Sequence, residues 1–160
     1  MADPEGVADT AVFFADEQTQ PVDADRLLRL ASFVCADQGV PDAMEVSVLL
    51  IERDAIAQLN RHHMGKSGPT DVLAFPMDLP GETRAGEPAI LGDVVVCPEV
   101  AATQAPANGN DTAAEMELLV VHGLLHLLGH DHAEPGERTR MFSLTDRLLA
   151  DFRATDGAPA

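Results

Sequence analysis

The chain has 160 residues, 46% of them hydrophobic, with ten lysines and arginines against 27 aspartates and glutamates, a formal net charge of −17. That length fits one domain, which buries enough surface to fold without disulfide staples. No run of eighteen apolar residues occurs, so no membrane span is expected, and the charge repels nucleic acid at long range, so any contact with it has to be short-range and local.

Residues 1–9 read as a flexible acidic tail. The opening MADPEGVADT has no basic segment followed by an apolar core, and no secretory signal is expected. TAVFFA (10–15) is a short apolar run, predicted as the first strand. PVDADRLLRLASFVCADQG (21–39) predicts a helix opened by Pro21, with Leu27, Leu30, Ala31 and Val34 at helical spacing and Gly39 at its end. AMEVSVLLIE (43–52) alternates and then becomes fully apolar, as a central strand does. RDAIAQLNRHH (53–63) predicts a second helix. TDVLAFPMD (70–78) predicts a strand interrupted by Pro76, and hence one that borders an edge or a site. LPGETRAGEPA (79–89) is a loop, and ILGDVVVCPE (90–99) a strand ended by Pro98.

VAATQAPANGN (100–110) predicts a weak helix broken around Pro106. DTAAEMELLVVHGLLHLLGH (111–130) predicts a long helix, opened by Asp111, Thr112 and Glu115 in the manner of a capping box and closed by Gly129. EPGERTRMFSLTDRLLADF (134–152) is a last amphipathic helix, and residues 154–160 read as a flexible tail. Strands and helices mix without strict βαβ alternation, which predicts an α+β fold: a small mixed sheet packed with helices, forming a single domain over residues 10–153. Cys35 and Cys97 lie in apolar stretches and read as buried free thiols of a reduced compartment.

Four of the six histidines fall within eleven residues: His122, His126, His130 and His132. His122 and His126 are four apart and share one helical face, so their ring nitrogens can converge on one ion. His130 is the next position on that face, but Gly129 is a natural helix stop and turns the chain first, after which His132 can swing back beneath the helix. The pattern therefore favours His122, His126 and His132 as ligands and leaves His130 beside the ion or facing substrate. Buried imidazoles without partners are costly, and three histidines leave a fourth tetrahedral position for water, as in a catalytic zinc site. Nickel or another divalent ion suits the same ligands. The residue after His122 is Gly123, where H-E-x-x-H proteases keep their general base. Its absence demotes peptide hydrolysis and suits a substrate that brings its own nucleophile, such as the 2′-hydroxyl of RNA, or a labile ester.

HGLLHLLGHDH (122–132) resembles the metal-binding signature of the YbeY family of bacterial rRNA maturation factors. LNRHHMGKSGPTDVLAFPMD (59–78) resembles that family's upstream block, and LGDVVVCPEVA (91–101) its middle block. The resemblance implies His122, His126 and His132 as metal ligands, one zinc ion, a small α+β fold, a cytoplasmic location and single-strand-specific endoribonuclease activity in rRNA maturation. The implied partners are rRNA precursors and a ribosomal subunit or ribosome-associated protein, with no DNA and no membrane. Many members of that family carry arginine where this chain has Met64. Arg61, His62, His63 and Lys66 could supply local charge there instead. Pro69, Thr70 and Asp71 read either as turn chemistry or as the start of an edge strand lining the groove before the metal. Asp131 reads as a turn residue or as an acceptor that orients a ligand. Arg61, Lys66, His130 and Asp131 are the candidate catalytic residues beside the ion. The alternatives are a zinc hydrolase acting on peptides or small esters and amides, and a ribosome-associated binding module with a structural metal.

Overall fold

The structure, a computed structural model, describes residues 11–82, 89–131 and 133–159. Its strands are β1 (Ala11–Glu17), β2 (Met44–Ile51), β3 (Val72–Pro76) and β4 (Ala89–Val96), and its helices α1 (Ala24–Asp37), α2 (Arg53–Leu59), α3 (Pro98–Gln104), α4 (Thr112–Leu127) and α5 (Pro135–Asp156). The strands form one mixed sheet in the order β1-β2-β4-β3, with β1, β2 and β4 parallel and β3 antiparallel to β4. The α+β expectation holds, β2 is interior, and the Pro76 strand is an edge. The predicted loop 79–89 is described only in part, and the tail at 1–9 lies outside the described residues.

Alternation along the strands gives the sheet two apolar faces. Val46, Val48 and Leu50 of β2 and Val94 and Val96 of β4 join Leu30, Val120, Leu124 and Leu148 in the main core, so α1 and α4 cover that face and α5 packs against those two helices. Ile51, Leu73 and Val95 point the other way and bury Ile56 of α2. Burial on both sides explains why the end of β2 loses its alternation. No helix among the described residues is long and apolar enough to cross a membrane.

Four local expectations are corrected. Helix α1 starts at Ala24, not Pro21, because the Asp23 carboxylate accepts from the Arg26 N–H at 3.1 Å and so caps the helix. The predicted helix at 53–63 stops being α-helical at Leu59 and widens into a π-helical turn, Asn60–Met64. The buried Asn60 side chain donates to the Gly68 carbonyl at 2.9 Å and ties down the loop that follows. Asp111 caps α4 by accepting from the Ala114 N–H at 2.8 Å, but Glu115 lies one position beyond the capping-box partner and turns inward instead. Helix α5 runs through Asp156, into the stretch that reads as a tail.

The reason for that last extension is Arg26. Its guanidinium donates to the Asp156 carbonyl and carboxylate, both at 3.2 Å, and to the Gly157 carbonyl at 2.6 Å. The same guanidinium pairs with Glu117, which also accepts from Arg153 at 2.9 Å. Arg26 and Glu117 are both buried. One buried carboxylate between two arginines thus fastens α1, α4 and α5 together.

Candidate metal centre and its groove

Helix α4 lies across β3 and β4, and Gly123 is the point of closest approach. A Cβ at that position would fall 2.5 Å from Cγ1 of Val94 and 3.3 Å from Cγ2 of Val72. No side chain fits without displacing a β-branched neighbour whose rotamer is stiff. The glycine therefore does more than leave out a glutamate: the direction a side chain would take is filled by the sheet.

On either side of this contact, His122 and His126 project from α4, both half-buried. Their Nε2 atoms are 3.1 Å apart, with ring centroids at 4.6 Å and the planes inclined by 74°. Two nitrogens ligating one tetrahedral ion at about 2.0–2.1 Å are separated by roughly 3.3 Å. The donor set and spacing thus fit one shared divalent cation. The helix then ends in a Schellman motif, with the Gly129 N–H bonded to the His126 carbonyl and the His130 N–H to the Leu125 carbonyl, both at 3.0 Å. Gly129 has φ +97°. His130 is thereby taken off the helical face that carries the other two, as the glycine stop predicts. His132 lies outside the described residues, and among those described no three potential ligands form a group.

The histidines open onto a groove of about 440 Å³ whose far wall is β3, with Val72 and Ala74 on the strand face turned toward α4 and Met64 and Asp71 at its rim. Met64 is 42% exposed and lines this groove, so its thioether borders the site directly. Arg61, His62, His63 and Lys66 are exposed on the loop around Met64 but do not line the groove. His63 packs edge-on against Phe75, with centroids 5.2 Å apart. Asp131 is exposed just after the Schellman turn.

Asp71 is engaged as turn chemistry predicts, with Oδ1 accepting from the Val72 N–H at 2.7 Å. Its second oxygen accepts from the Gln104 side chain at 2.7 Å. Gln104 and the buried Glu115 were not legible as site residues. Glu115 does stand seven residues, two turns, before His122, and that spacing was the available signal.

The family model described as "Endoribonuclease YbeY" matches residues 13–153. The chain belongs to the YbeY family. A YbeY endoribonuclease of Salinispora tropica is 52% identical over 153 residues, covering 91% of this chain and 98% of its own. One from Mycobacterium bovis is 46% identical over 145 residues, covering 88% and 82%. The solution structure of TM1509 from Thermotoga maritima superposes with a TM-score of 0.61 at 27% identity, over 89% of each chain. The YbeY match spans all three blocks that carry the sequence resemblance, the histidine helix among them.

Proposed function

We propose that the chain is a metal-dependent endoribonuclease that cuts single-stranded RNA during rRNA maturation. Membership of a family described as endoribonucleases supports this reading. The observation that carries it is the His122–His126 pair, with nitrogens 3.1 Å apart at the edge of an open groove. His122, His126 and His132 would hold one divalent ion, zinc in the first instance and nickel as a substitute. When bound, the ion supplies Lewis acidity toward a phosphoryl oxygen and toward water.

The remaining work falls to the chain's own groups. Gly123 seats α4 against β3 and β4, so that both imidazoles emerge at a fixed height above the groove. The β3 wall and the Met64 thioether offer an apolar surface to a base. Arg61 and Lys66, on the loop tied down by Asn60, are the cations nearest Met64 in the chain and would contact phosphates. His130 and Asp131 directly follow the histidine helix and are the groups to test for proton transfer. A ribosomal subunit or a protein bound to it would present the RNA, which compensates for the long-range repulsion of a −17 chain. Buried free thiols at Cys35 and Cys97 suit a reducing cytoplasm. The peptidase alternative is weakened twice, since position 123 lacks a carboxylate and has no space for one.

The test is cleavage of end-labelled single-stranded and duplex RNA by a preparation whose metal content is measured in parallel. Single-stranded RNA should be cut, chelator should stop the cutting, and added zinc should restore it. A folded, metal-loaded preparation that leaves single-stranded RNA intact overturns the reading.

A further inference from the structure

The groove has two walls from distant parts of the chain, β3 and α4, and their separation is set by something other than the histidines. Gln104, the last residue of α3, donates from one amide nitrogen to two carboxylates: Asp71 Oδ2 at 2.7 Å and Glu115 Oε2 at 2.9 Å. Asp71 is the rim of the β3 wall. Glu115 stands in the first turn of α4, two turns before His122 and on the same side of the helix. A single nitrogen with two hydrogens thus spans from the groove wall to the histidine helix.

The surroundings leave little freedom at either end. Glu115 is 1% exposed and also accepts from Asn108 and Asn110, both at 2.9 Å, so its carboxylate is fully held by amides. Asp71 is fixed on its own side by the Val72 N–H and the Thr70 hydroxyl. Its carbonyl accepts from the Cys97 N–H at 2.9 Å, at the other end of α3. Helix α3 is therefore pinned to Asp71 at both ends. Only a neutral side chain with two donor hydrogens on one atom joins two carboxylates this way without adding charge. A glutamate there would set three carboxylates together, and an aliphatic side chain would leave both acceptors short of a partner.

From this we infer that Gln104 is a positioning residue for RNA cleavage, fixing the width of the groove between the Asp71 wall and the histidines. The inference rests on the endoribonuclease reading. Gln104 touches neither histidine in the structure, so its effect is on where the scissile phosphate lies, not on whether the ion binds. Ångström-scale misplacement of a reacting group costs up to about a hundredfold in rate.

Gln104→Leu and Gln104→Glu should keep the metal content of the parent and remain folded at the assay temperature, while kcat on single-stranded RNA falls at least about tenfold and KM changes less than about threefold. The triple variant Asp71→Asn/Glu115→Gln/Gln104→Glu reverses donor and acceptor across both contacts of residue 104, and should recover a large part of the kcat lost in Gln104→Glu alone. A merely structural role predicts otherwise: activity would follow the folded fraction, and the reversed set would be no better than the single change. An active parent with Gln104 variants of equal kcat, or a failed recovery in a folded triple variant, overturns the inference alone. A metal-loaded parent that cuts no RNA sinks the endoribonuclease reading, and the inference with it.

Discussion

Gly123 and Val94 stand so close that a methyl group on the first would lie 2.5 Å from Cγ1 of the second. Gly123→Ala gains about 1 kcal/mol of helix propensity but forces a shift in a packed core, which costs about 1–3 kcal/mol. Because the obstructing atom belongs to a stiff valine, crowding should win, with a net loss of up to about 2 kcal/mol in denaturant titrations. In a Val94→Ala background the same change should cost less or become stabilising. A double-mutant cycle showing no coupling would mean that the helix does not rest on Val94.

The histidine ligands are separable by metal analysis. His122→Ala and His126→Ala should each lose most of the bound ion, since their nitrogens face one point 3.1 Å apart. His130→Ala should retain it, because the Gly129 turn takes residue 130 off the helical face. His132→Ala should lose it. Retention by the 132 variant together with loss by the 130 variant would reverse the assignment of the third ligand.

How far the sequence leads is visible at these same positions. An offset of four on a helix forces two side chains onto one face, so the His122–His126 pair could be read directly, and the period of two marked the strands. Gly123 could be read only as an absent glutamate, because its collision with Val94 exists only once α4 is laid on β4. Arg26 and Glu117 were hidden for a related reason. Polar residues are assigned to the surface, and nothing local shows that residues 91 positions apart neutralise one another. Gln104 escaped similarly, since its partners are 33 and 11 positions away.

The buried charge cluster gives a stability prediction. Arg26→Met leaves Glu117 inside the protein with one of its two guanidinium partners removed. Breaking a buried pair from one side costs about 3–5 kcal/mol, enough to bring a domain of this size near unfolding. Arg26→Met combined with Glu117→Leu should be less damaging than Arg26→Met alone. A single variant as stable as the parent would show that the cluster is not desolvated in solution.

Acid should act through Asp156 and Asp37. The hydrogen bonds from Arg29 hold the Asp156 carboxyl below its ordinary 3.8, and those from Arg147 do the same for Asp37. Groups whose pKa is depressed by folding stabilise at pH above the unfolded value, and that contribution is lost as pH falls through the folded value. These two groups should therefore leave stability unchanged from neutrality to about pH 4 and lower it only below that. Asp156→Asn should flatten this acid limb, and an unaltered limb in urea titrations between pH 2 and 4 would count against the assignment.

Thiol labelling tests the burial of the cysteines. Desolvation pushes the Cys35 thiol up to about 12 and raises Cys97 as well. The thiolate is the reactive form, so native protein at pH 8 should resist disulfide reagents at both positions and react with two equivalents once unfolded. Fast labelling of the folded chain would place a cysteine at the surface.

The Arg26–Glu117–Arg153 cluster also orders events during synthesis. Arg153 follows Glu117 by 36 positions. A nascent chain that has emerged as far as Leu127 carries both His122 and His126, yet its buried carboxylate still waits for the second of its two arginines. The histidine helix is made well before it is firmly seated, and the interval is the time the ribosome takes to add residues 128–153.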